Sequence, residues 1–349
     1  MATRNSIRAP ASSRDQPRVK TVEPAWPSPD GRTLVFVHGW PDSVDMWTPL
    51  IARLSRRGHT CVCVPLPWYP GGSDPEQADF NVAARDVARA ARVAIETERA
   101  SPPRAERQRV TLVCHDWGCV VGFKVQKLVP ELIAAVVALD VGGDARGLSA
   151  KEKAFVVAYQ AWLLAAHFVG GAIGDAMTTR FARFAGAPVT RNQDGSVSDA
   201  VVRARLNWPY VAFWRDVAPS VQSPREKGRE ERNGDETFAG GASASASDET
   251  RASRAFAPSC PVLFLFGGNK PARFHGDAWL AAIDAKRARG DGSAWREMKG
   301  AGHWFPVERA DRTFEEIDRW LRETAPNGKE KTHAASEDDA GPVGVRSAL

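Results

Sequence analysis

Residues 110–118 read VTLVCHDWG and decide the fold, because an apolar, β-branched run passes through a sharp turn into the helix-forming residues 120–125. A strand, a tight turn and a helix in this order form the context of a nucleophile elbow, which presents one side chain at the tip of the turn. The tip residue is Asp116. Small residues two positions to either side of it, Cys114 and Gly118, allow the strand and the helix to approach closely.

The aspartate at the tip has two interpretations. An ionised carboxylate can attack an electrophilic carbon directly, without the activation that a hydroxyl needs. An aspartate that precedes a helix can also serve only as its N-cap and accept hydrogen bonds from the first turn. The remainder of the chain has to decide between chemistry and capping.

The chain has 349 residues, of which 43% are hydrophobic, so it is long enough for one large α/β domain with an insertion or for two domains. The net charge is +5, yet residues 1–20 alone carry five basic side chains and one acidic one. Because the body of the chain has no basic stripe with interleaved aromatic residues, we expect no nucleic-acid binding.

Cysteine usage indicates a reducing compartment. The five cysteines are Cys61, Cys63, Cys114, Cys119 and Cys260. They form no Cys-x-x-Cys pair and no zinc-type cluster, so we expect free thiols and a cytoplasmic protein. Residues 1–20 have no apolar secretory segment, and their Arg, Ser, Ala and Pro fit an organelle transit peptide as well as a solvated tail. Residues 347–349 resemble a peroxisomal signal that lacks its basic middle residue.

Apolar strands alternate with helical segments along much of the chain. Strands are predicted at 33–37, 60–64, 110–114, 134–139 and 261–266, and helices at 46–57, 80–100, 117–128 and 312–324. This alternation predicts an α/β fold with a mostly parallel sheet and helices on both faces. Ligands then bind beyond the carboxyl ends of the strands, where the turns after Val37, Val113 and Leu139 meet.

Two segments interrupt the alternation of strands and helices. Residues 142–222 are helical and rich in tryptophan, and residues 223–259 lose the apolar periodicity. The first predicts an inserted helical cap, and the second predicts a disordered insertion. The predicted segments are a disordered tail (1–24), a first core part (25–141), the cap (142–222), the insertion (223–259), a second core part (260–325) and a disordered tail (326–349).

Residues 154–174 of the cap contain no formal charge over 21 residues, which is long enough for a membrane-spanning helix. Tyr159, Gln160 and His167 interrupt the stretch, and it lies between segments assigned to one sheet. We therefore expect a buried cap helix and no membrane span.

Three motifs occur in chain order: His38-Gly39-Trp40-Pro41, His115-Asp116-Trp117-Gly118 and Gly302-His303-Trp304. Together they resemble the α/β-hydrolase family, in its epoxide hydrolase and haloalkane dehalogenase branch. In that branch an aspartate attacks a saturated carbon, and a histidine-activated water then hydrolyses the alkyl-enzyme ester. The resemblance implies the α/β-hydrolase fold, Asp116 as nucleophile, His303 as general base, and no metal or organic cofactor.

The acid that would orient His303 is harder to assign from the sequence. Relatives often place an acid in a Gly-x-x-Asp turn before the histidine loop, but the matching turn here ends in Lys270. Other relatives take the acid from the strand after the elbow helix, where this chain has Asp140. A carboxylate buried there needs a partner, and the imidazole of His303 would supply one. The alternatives are that Asp140 only caps the entrance to the cap, or that Asp144 is the acid.

The resemblance also implies hydrogen-bond donors around the nucleophile. Ester hydrolysis passes through an oxyanion, which the backbone N–H groups of Trp40 and Trp117 would bind. Tyr159 and Tyr210 resemble the two cap tyrosines that protonate an opening epoxide, although Pro209 departs from the pattern before Tyr210. The alternative for each tyrosine is a core residue with a satisfied hydroxyl.

These residues imply an epoxide hydrolase that converts a small apolar epoxide and water into a diol. A haloalkane dehalogenase with the same nucleophile is an alternative, although Trp40 stands where an asparagine often holds the halide. A catalytically idle binding protein of the same fold is the alternative of another class, because Lys270 and the insertion depart from the family pattern. The oligomeric state stays open.

Overall fold

The computed structural model describes residues 16–24, 28, 30–99, 109–217 and 257–324. Within these residues, seven strands form one sheet in the order β1-β3-β2-β4-β5-β6-β7. The strands are β1 (Lys20–Val22), β2 (Thr33–Val37), β3 (Thr60–Val64), β4 (Val110–His115), β5 (Ile133–Leu139), β6 (Val262–Gly267) and β7 (Ala294–Met298). All neighbouring pairs are parallel except β1 with β3. The predicted mostly parallel sheet is confirmed.

Helices cover both faces of this sheet. They are α1 (Thr48–Leu54), α2 (Phe80–Arg99), α3 (Trp117–Leu128), α4 (Ala150–Val169), α5 (Gly171–Phe184), α6 (Trp208–Val217), α7 (Asp277–Ala288), α8 (Phe305–Glu308) and α9 (Ala310–Glu323). Helices α2, α3 and α7 pack on one face, and α1 and α9 pack on the other.

Every residue of β2 is buried, and its side chains alternate between the two faces. Val35 and Val37 join the cluster under α2 and α3, whereas Leu34 and Phe36 join the cluster under α1 and α9. A strand buried on both sides has no polar face, which explains why its sequence is continuously apolar.

The predicted disordered tail at 1–24 is wrong for Lys20–Val22, which pair antiparallel with residues 61–63 of β3. The edge of β3 offers unpaired backbone groups, and a strand that pairs through its backbone needs no apolar pattern of its own. Sequence reasoning also missed β7 and α7. The Arg296 and Glu297 side chains of β7 hide the alternation expected of a strand.

The segment predicted as the cap, residues 142–222, contains α4, α5 and α6. The single buried helix predicted at 154–174 is wrong, because α4 ends at Val169 and α5 begins at Gly171. Gly170, between them, has φ +60°. Phe168 and Ile173, on either side of this turn, are 75% and 69% exposed. None of the helices within the described ranges combines the length and apolar character that a membrane crossing requires.

The other predictions of disorder fall mainly outside the described residues. These are most of 1–24, residues 223–256 of the insertion and all of 326–349. The division of the chain into core, cap and insertion stays a prediction.

Candidate active site

Asp116 lies between the end of β4 and the start of α3, in a backbone conformation that side chains rarely adopt, with φ +52° and ψ −127°. Such a conformation costs about 1–3 kcal/mol and persists only where the surroundings enforce it. At Gly118 an added Cβ would lie 2.2 Å from the Val37 carbonyl oxygen, and at Gly39 it would lie 2.3 Å from Asp116 Oδ1. The absence of side chains at both glycines therefore allows the turn to form.

The Asp116 carboxylate faces the site and does not cap α3, since its side chain makes no capping hydrogen bond. The backbone N–H of Trp40 donates to its Oδ1 over 2.7 Å. Its Oδ2 lies 3.5 Å from Nε2 of His303. The side chain is 15% exposed. The carboxylate is thus held at one oxygen, while the other faces the imidazole.

His303 follows β7 and lies between two carboxylates. Its Nδ1 is 2.5 Å from Oδ2 of Asp140, and its Nε2 faces Asp116. Burial disfavours a charged ring, but the hydrogen bonds and charges of Asp116 and Asp140 outweigh that effect and raise the pKa of His303 to about 9. The imidazole is therefore strongly basic while both carboxylates are ionised.

Asp140 follows β5, is fully buried and has φ +74°. Its Oδ1 accepts hydrogen bonds from the backbone N–H of Gly267, at 2.9 Å, and from Lys270 Nζ. Burial opposes its charge, but Lys270 and His303 outweigh that effect and hold the pKa of Asp140 well below its usual range. The alternative acid, Asp144, instead pairs with the Arg146 guanidinium.

His115, the residue before the tip, is a support that sequence reasoning missed. Its Nε2 donates to the carbonyl oxygen of His303 over 3.0 Å, and the two rings lie 4.7 Å apart. Burial lowers the pKa of His115 to about 4, so the ring is neutral at physiological pH and donates through Nε2. The sequence could have indicated this role, because His115 ends an apolar strand directly before Asp116.

The turn after β2 carries Trp40, one of the two predicted oxyanion donors. His38 braces this turn: its Nδ1 donates to the Gly39 carbonyl over 2.9 Å, and its Nε2 accepts from the Leu66 N–H. The second predicted donor, Trp117, is the first residue of α3. The Trp40 N–H therefore points at the Asp116 carboxylate from a fixed turn.

Asn207 of the cap is a second residue that sequence reasoning missed. The Trp40 indole donates to its Oδ1 over 2.8 Å, and its Nδ2 donates to the Leu163 carbonyl and to Thr178 Oγ1. Asn207 is fully buried. It links the turn that carries Trp40 to helices α4 and α5.

The two predicted cap tyrosines come together over the elbow, Tyr159 from α4 and Tyr210 from α6. Their rings are 6.0 Å apart and nearly perpendicular, and the Tyr210 ring is 5.1 Å from the Trp117 ring. Burial raises the pKa of both hydroxyls, and the Asp116 charge raises them further. Both hydroxyls therefore keep their protons at neutral pH. Tyr69, in contrast, donates its hydroxyl to the Leu206 carbonyl over 2.8 Å.

Asp42 is a buried acid near the histidine. It accepts a hydrogen bond from the Trp304 indole over 2.9 Å, yet burial outweighs that bond and raises the pKa of Asp42 to about 7. A cavity of about 260 Å³ opens beside His303, between the cap around Arg191 and the loop that carries Lys270. This volume leaves room for water next to the imidazole.

The sheet and its elbow define a hydrolase of the α/β class. The chain belongs to the alpha/beta hydrolase family, whose model matches residues 34–316. A segment of 113 residues is 28% identical to Epoxide hydrolase 2 of Caenorhabditis elegans, and it covers 32% of this chain and 29% of that protein. The match thus spans less than a third of that relative's length.

Solved structures share the fold at low sequence identity. The epoxide hydrolase of Bacillus megaterium in complex with an inhibitor has a TM-score of 0.56 and 16% identity, and the match covers 87% of this chain and 96% of that one. A thermophilic esterase from Thermogutta terrifontis has a TM-score of 0.55 and 16% identity, over 88% and 93% of the two chains. Epoxide hydrolase A from Mycobacterium thermoresistibile has a TM-score of 0.51 and 19% identity, over 87% and 94%.

Proposed function

We propose that this protein is an epoxide hydrolase that works through an ester on Asp116. The observation that carries the proposal is one constellation, in which a carboxylate faces an Asp-supported imidazole beneath two protonated tyrosine hydroxyls. The match to Epoxide hydrolase 2 of Caenorhabditis elegans supports the same activity.

In the first step, Asp116 attacks a ring carbon of the epoxide through Oδ2. Its Oδ1 is already engaged by the Trp40 N–H and becomes the carbonyl oxygen of the ester. The electron pair of the breaking C–O bond moves to the epoxide oxygen, which takes a proton from Tyr159 or Tyr210. An alkoxide is a poor leaving group in an apolar site, so this proton transfer is the reason for two buried phenols.

In the second step, His303 takes a proton from water, and the hydroxide attacks the ester carbon of Asp116. Because the ester has no charge, one of the two carboxylates that raised the pKa of His303 is lost, and the ring is deprotonated more readily than in the free enzyme. Asp140 stabilises the imidazolium that forms. The oxyanion on Oδ1 is bound by the Trp40 N–H, with Trp117 as the second proposed donor. Collapse breaks the bond between the ester carbon and Oδ2, and the leaving alkoxide takes the proton from His303, so the diol departs with the original Oδ2. The carboxylate keeps Oδ1 and the oxygen from water, and the proton left on it returns to the tyrosine that protonated the epoxide oxygen.

The surroundings favour an apolar substrate with an aromatic or bulky aliphatic group. Phe80 and Phe213 contact the Trp117 ring at centroid distances of 5.6 and 5.7 Å, and Phe181 lies 5.9 Å from the Trp40 ring. Aromatic side chains packed around Trp40 and Trp117 would contact an apolar group on the substrate and bind it through area burial and ring contacts.

In the dehalogenase alternative, the indoles of Trp40 and Trp117 would bind the halide, but both are already engaged. The Trp40 indole is bonded to Asn207, and the Trp117 side chain is hydrogen-bonded to Tyr210. The idle alternative rested on Lys270 and on the insertion. Most of the insertion lies outside the described residues, whereas Lys270 binds the oxygen of Asp140 that His303 does not use. Lys270 therefore leaves the contact between Asp140 and His303 intact.

A His303→Gln variant tests the proposal. With styrene oxide, the variant should form the ester and fail to hydrolyse it, so mass spectrometry should find one epoxide mass added to the peptide that contains Asp116. Asp116→Asn should give neither adduct nor diol. The matched control is His167→Gln on the outer part of the cap, which should turn over without accumulating an adduct. Halide release from a chloroalkane without diol from the epoxide would favour the dehalogenase, and no turnover of either would favour the idle protein.

A further inference from the structure

Lys270 is a buried cation directly behind the proposed catalytic residues. Only 4% of its side chain is exposed, and its Nζ binds Oδ1 of Asp140, which is fully buried. The same Nζ lies 5.1 Å from the centre of the Phe274 ring, so an aromatic face covers it on another side. A charged lysine is costly to bury unless it is paired, and the ion pair with Asp140 provides that partner.

The contacts of Asp140 divide between its two oxygens. Oδ1 binds Lys270 and the Gly267 N–H, and Oδ2 binds His303 alone among the described contacts. A carboxylate whose first oxygen is held by two donors cannot rotate without losing both. Lys270 therefore helps to set the direction in which Oδ2 meets the imidazole.

The charge of Lys270 also reaches His303 through Asp140. Asp116, Asp140, His115 and Asp42, the last bonded to Trp304, are the titratable groups near the His303 imidazole. His275 and Lys270 lie near Asp140. Burial keeps His115 and His275 neutral at physiological pH, since it lowers the pKa of each to about 4. Asp116 and Asp140 favour a protonated His303. A cation paired with Asp140, as Lys270 is, reduces the negative charge that Asp140 presents to the imidazole.

We propose that Lys270 is a positioning residue of the active site, which fixes Asp140 for His303 and offsets the negative charge of Asp140 at the imidazole. The inference rests on the proposed function for its kinetic consequence and on geometry alone for its effect on His303. Without Lys270, the uncompensated charge of Asp140 should hold the proton on His303 more tightly. A general base that holds its proton to higher pH is inactive over a wider acid range.

Three variants at position 270 separate charge from position. Lys270→Met removes both the charge and the hydrogen bond, Lys270→Gln removes the charge but keeps a donor, and Lys270→Arg keeps the charge. In Lys270→Met and Lys270→Gln, the acid limb of the pH–rate profile for single-turnover ester hydrolysis should move up by about one pH unit. The rate below the limb should fall about tenfold. Gln should retain more of the rate above the limb than Met, and Arg should leave the limb near its wild-type position.

Lys286→Met is the matched control, since Lys286 is a second buried lysine, 6% exposed and paired with Asp291 at 2.7 Å in another part of the fold. It should lower stability without moving the limb. The second readout is the titration of the His303 ring by NMR in the resting enzyme, which needs no turnover and should show the same upward shift in Met and Gln.

An upward NMR shift in a protein that is inert toward epoxides would support the role of Lys270 and contradict the proposed function. Normal turnover with no shift in either Met or Gln, by kinetics or by NMR, would overturn the role of Lys270 alone. A loss of rate that is equal at every pH would also overturn it, because a purely structural lysine predicts that pattern. If Lys270→Met does not fold, Lys270→Gln and Lys270→Arg still compare a variant without the charge to one that keeps it.

Discussion

The core and the cap hold their proposed catalytic groups in different ways. Asp116 and Asp140 follow neighbouring parallel strands, and each has a positive φ that the surrounding backbone enforces. Tyr159 and Tyr210 project from two helices of the cap, and Tyr210 meets the core through its contact with the Trp117 ring. Nearby, the Trp40 indole of the core donates a hydrogen bond to Asn207 of the cap. The charged groups are thus located by strand ends, and the proposed proton donors by side-chain packing.

The two regions also differ in how much apolar surface they leave open. The central strands are buried almost throughout, whereas Phe168, Ile173 and Phe184 on the cap are 75%, 69% and 79% exposed. Fewer buried contacts mean that local opening costs less free energy. We expect the core to tolerate almost no change around the elbow and the cap to tolerate more.

The largest expected difference between core and cap is in stability, when one glycine of each region is replaced by alanine. Gly118→Ala places a Cβ 2.2 Å from the Val37 carbonyl oxygen, and neither backbone can move without disturbing the elbow. We expect a loss of about 3 kcal/mol in the free energy of unfolding, or no folded protein. Gly186→Ala in the cap has φ +78° but nothing within 4 Å, so we expect about 1 kcal/mol. Urea denaturation measures both, and equal losses would contradict the distinction.

Removal of the two cap hydroxyls should have the next largest effect. Tyr159→Phe combined with Tyr210→Phe keeps both rings, so the fold should persist, while epoxide opening loses its acid and slows about 100-fold or more. The third tyrosine provides the control: Tyr69→Phe loses only its bond to the Leu206 carbonyl and should keep most of the turnover. Diol formation is the measurement. Unchanged turnover in the double variant would mean that the cap supplies no acid.

Loss of the link between the cap and the core should have the smallest effect. Asn207→Leu leaves the Trp40 indole, the Leu163 carbonyl and the Thr178 hydroxyl without this partner, so we expect a loss of about 2 kcal/mol in the free energy of unfolding. Asn192→Leu is the control, because Asn192 is exposed and bonds only within its own loop. A KM that rises for Asn207→Leu alone would sharpen the comparison, since it would show that the link also positions the cap.

Much of the site followed from local pattern. Residues 110–118 predicted the strand, the turn and the helix, because side-chain periodicity and small residues act over a few positions. Asp116, Asp140 and His303 could be brought to one edge from sequence, since parallel strands end on the same side of a sheet. The structure adds the distances that join them.

Sequence alone predicted a mostly parallel α/β sheet with an aspartate at its elbow, because the strands, the helices and the turn depend on neighbours in the chain. Only the tertiary structure decided that Lys270 is a partner of Asp140, 130 residues away, and that Asn207 holds Trp40 across 167 residues. It also decided that Lys20–Val22 form an edge strand and that the cap helix divides at Gly170. Pairing between distant residues depends on where the whole chain folds back, and no local periodicity carries that information.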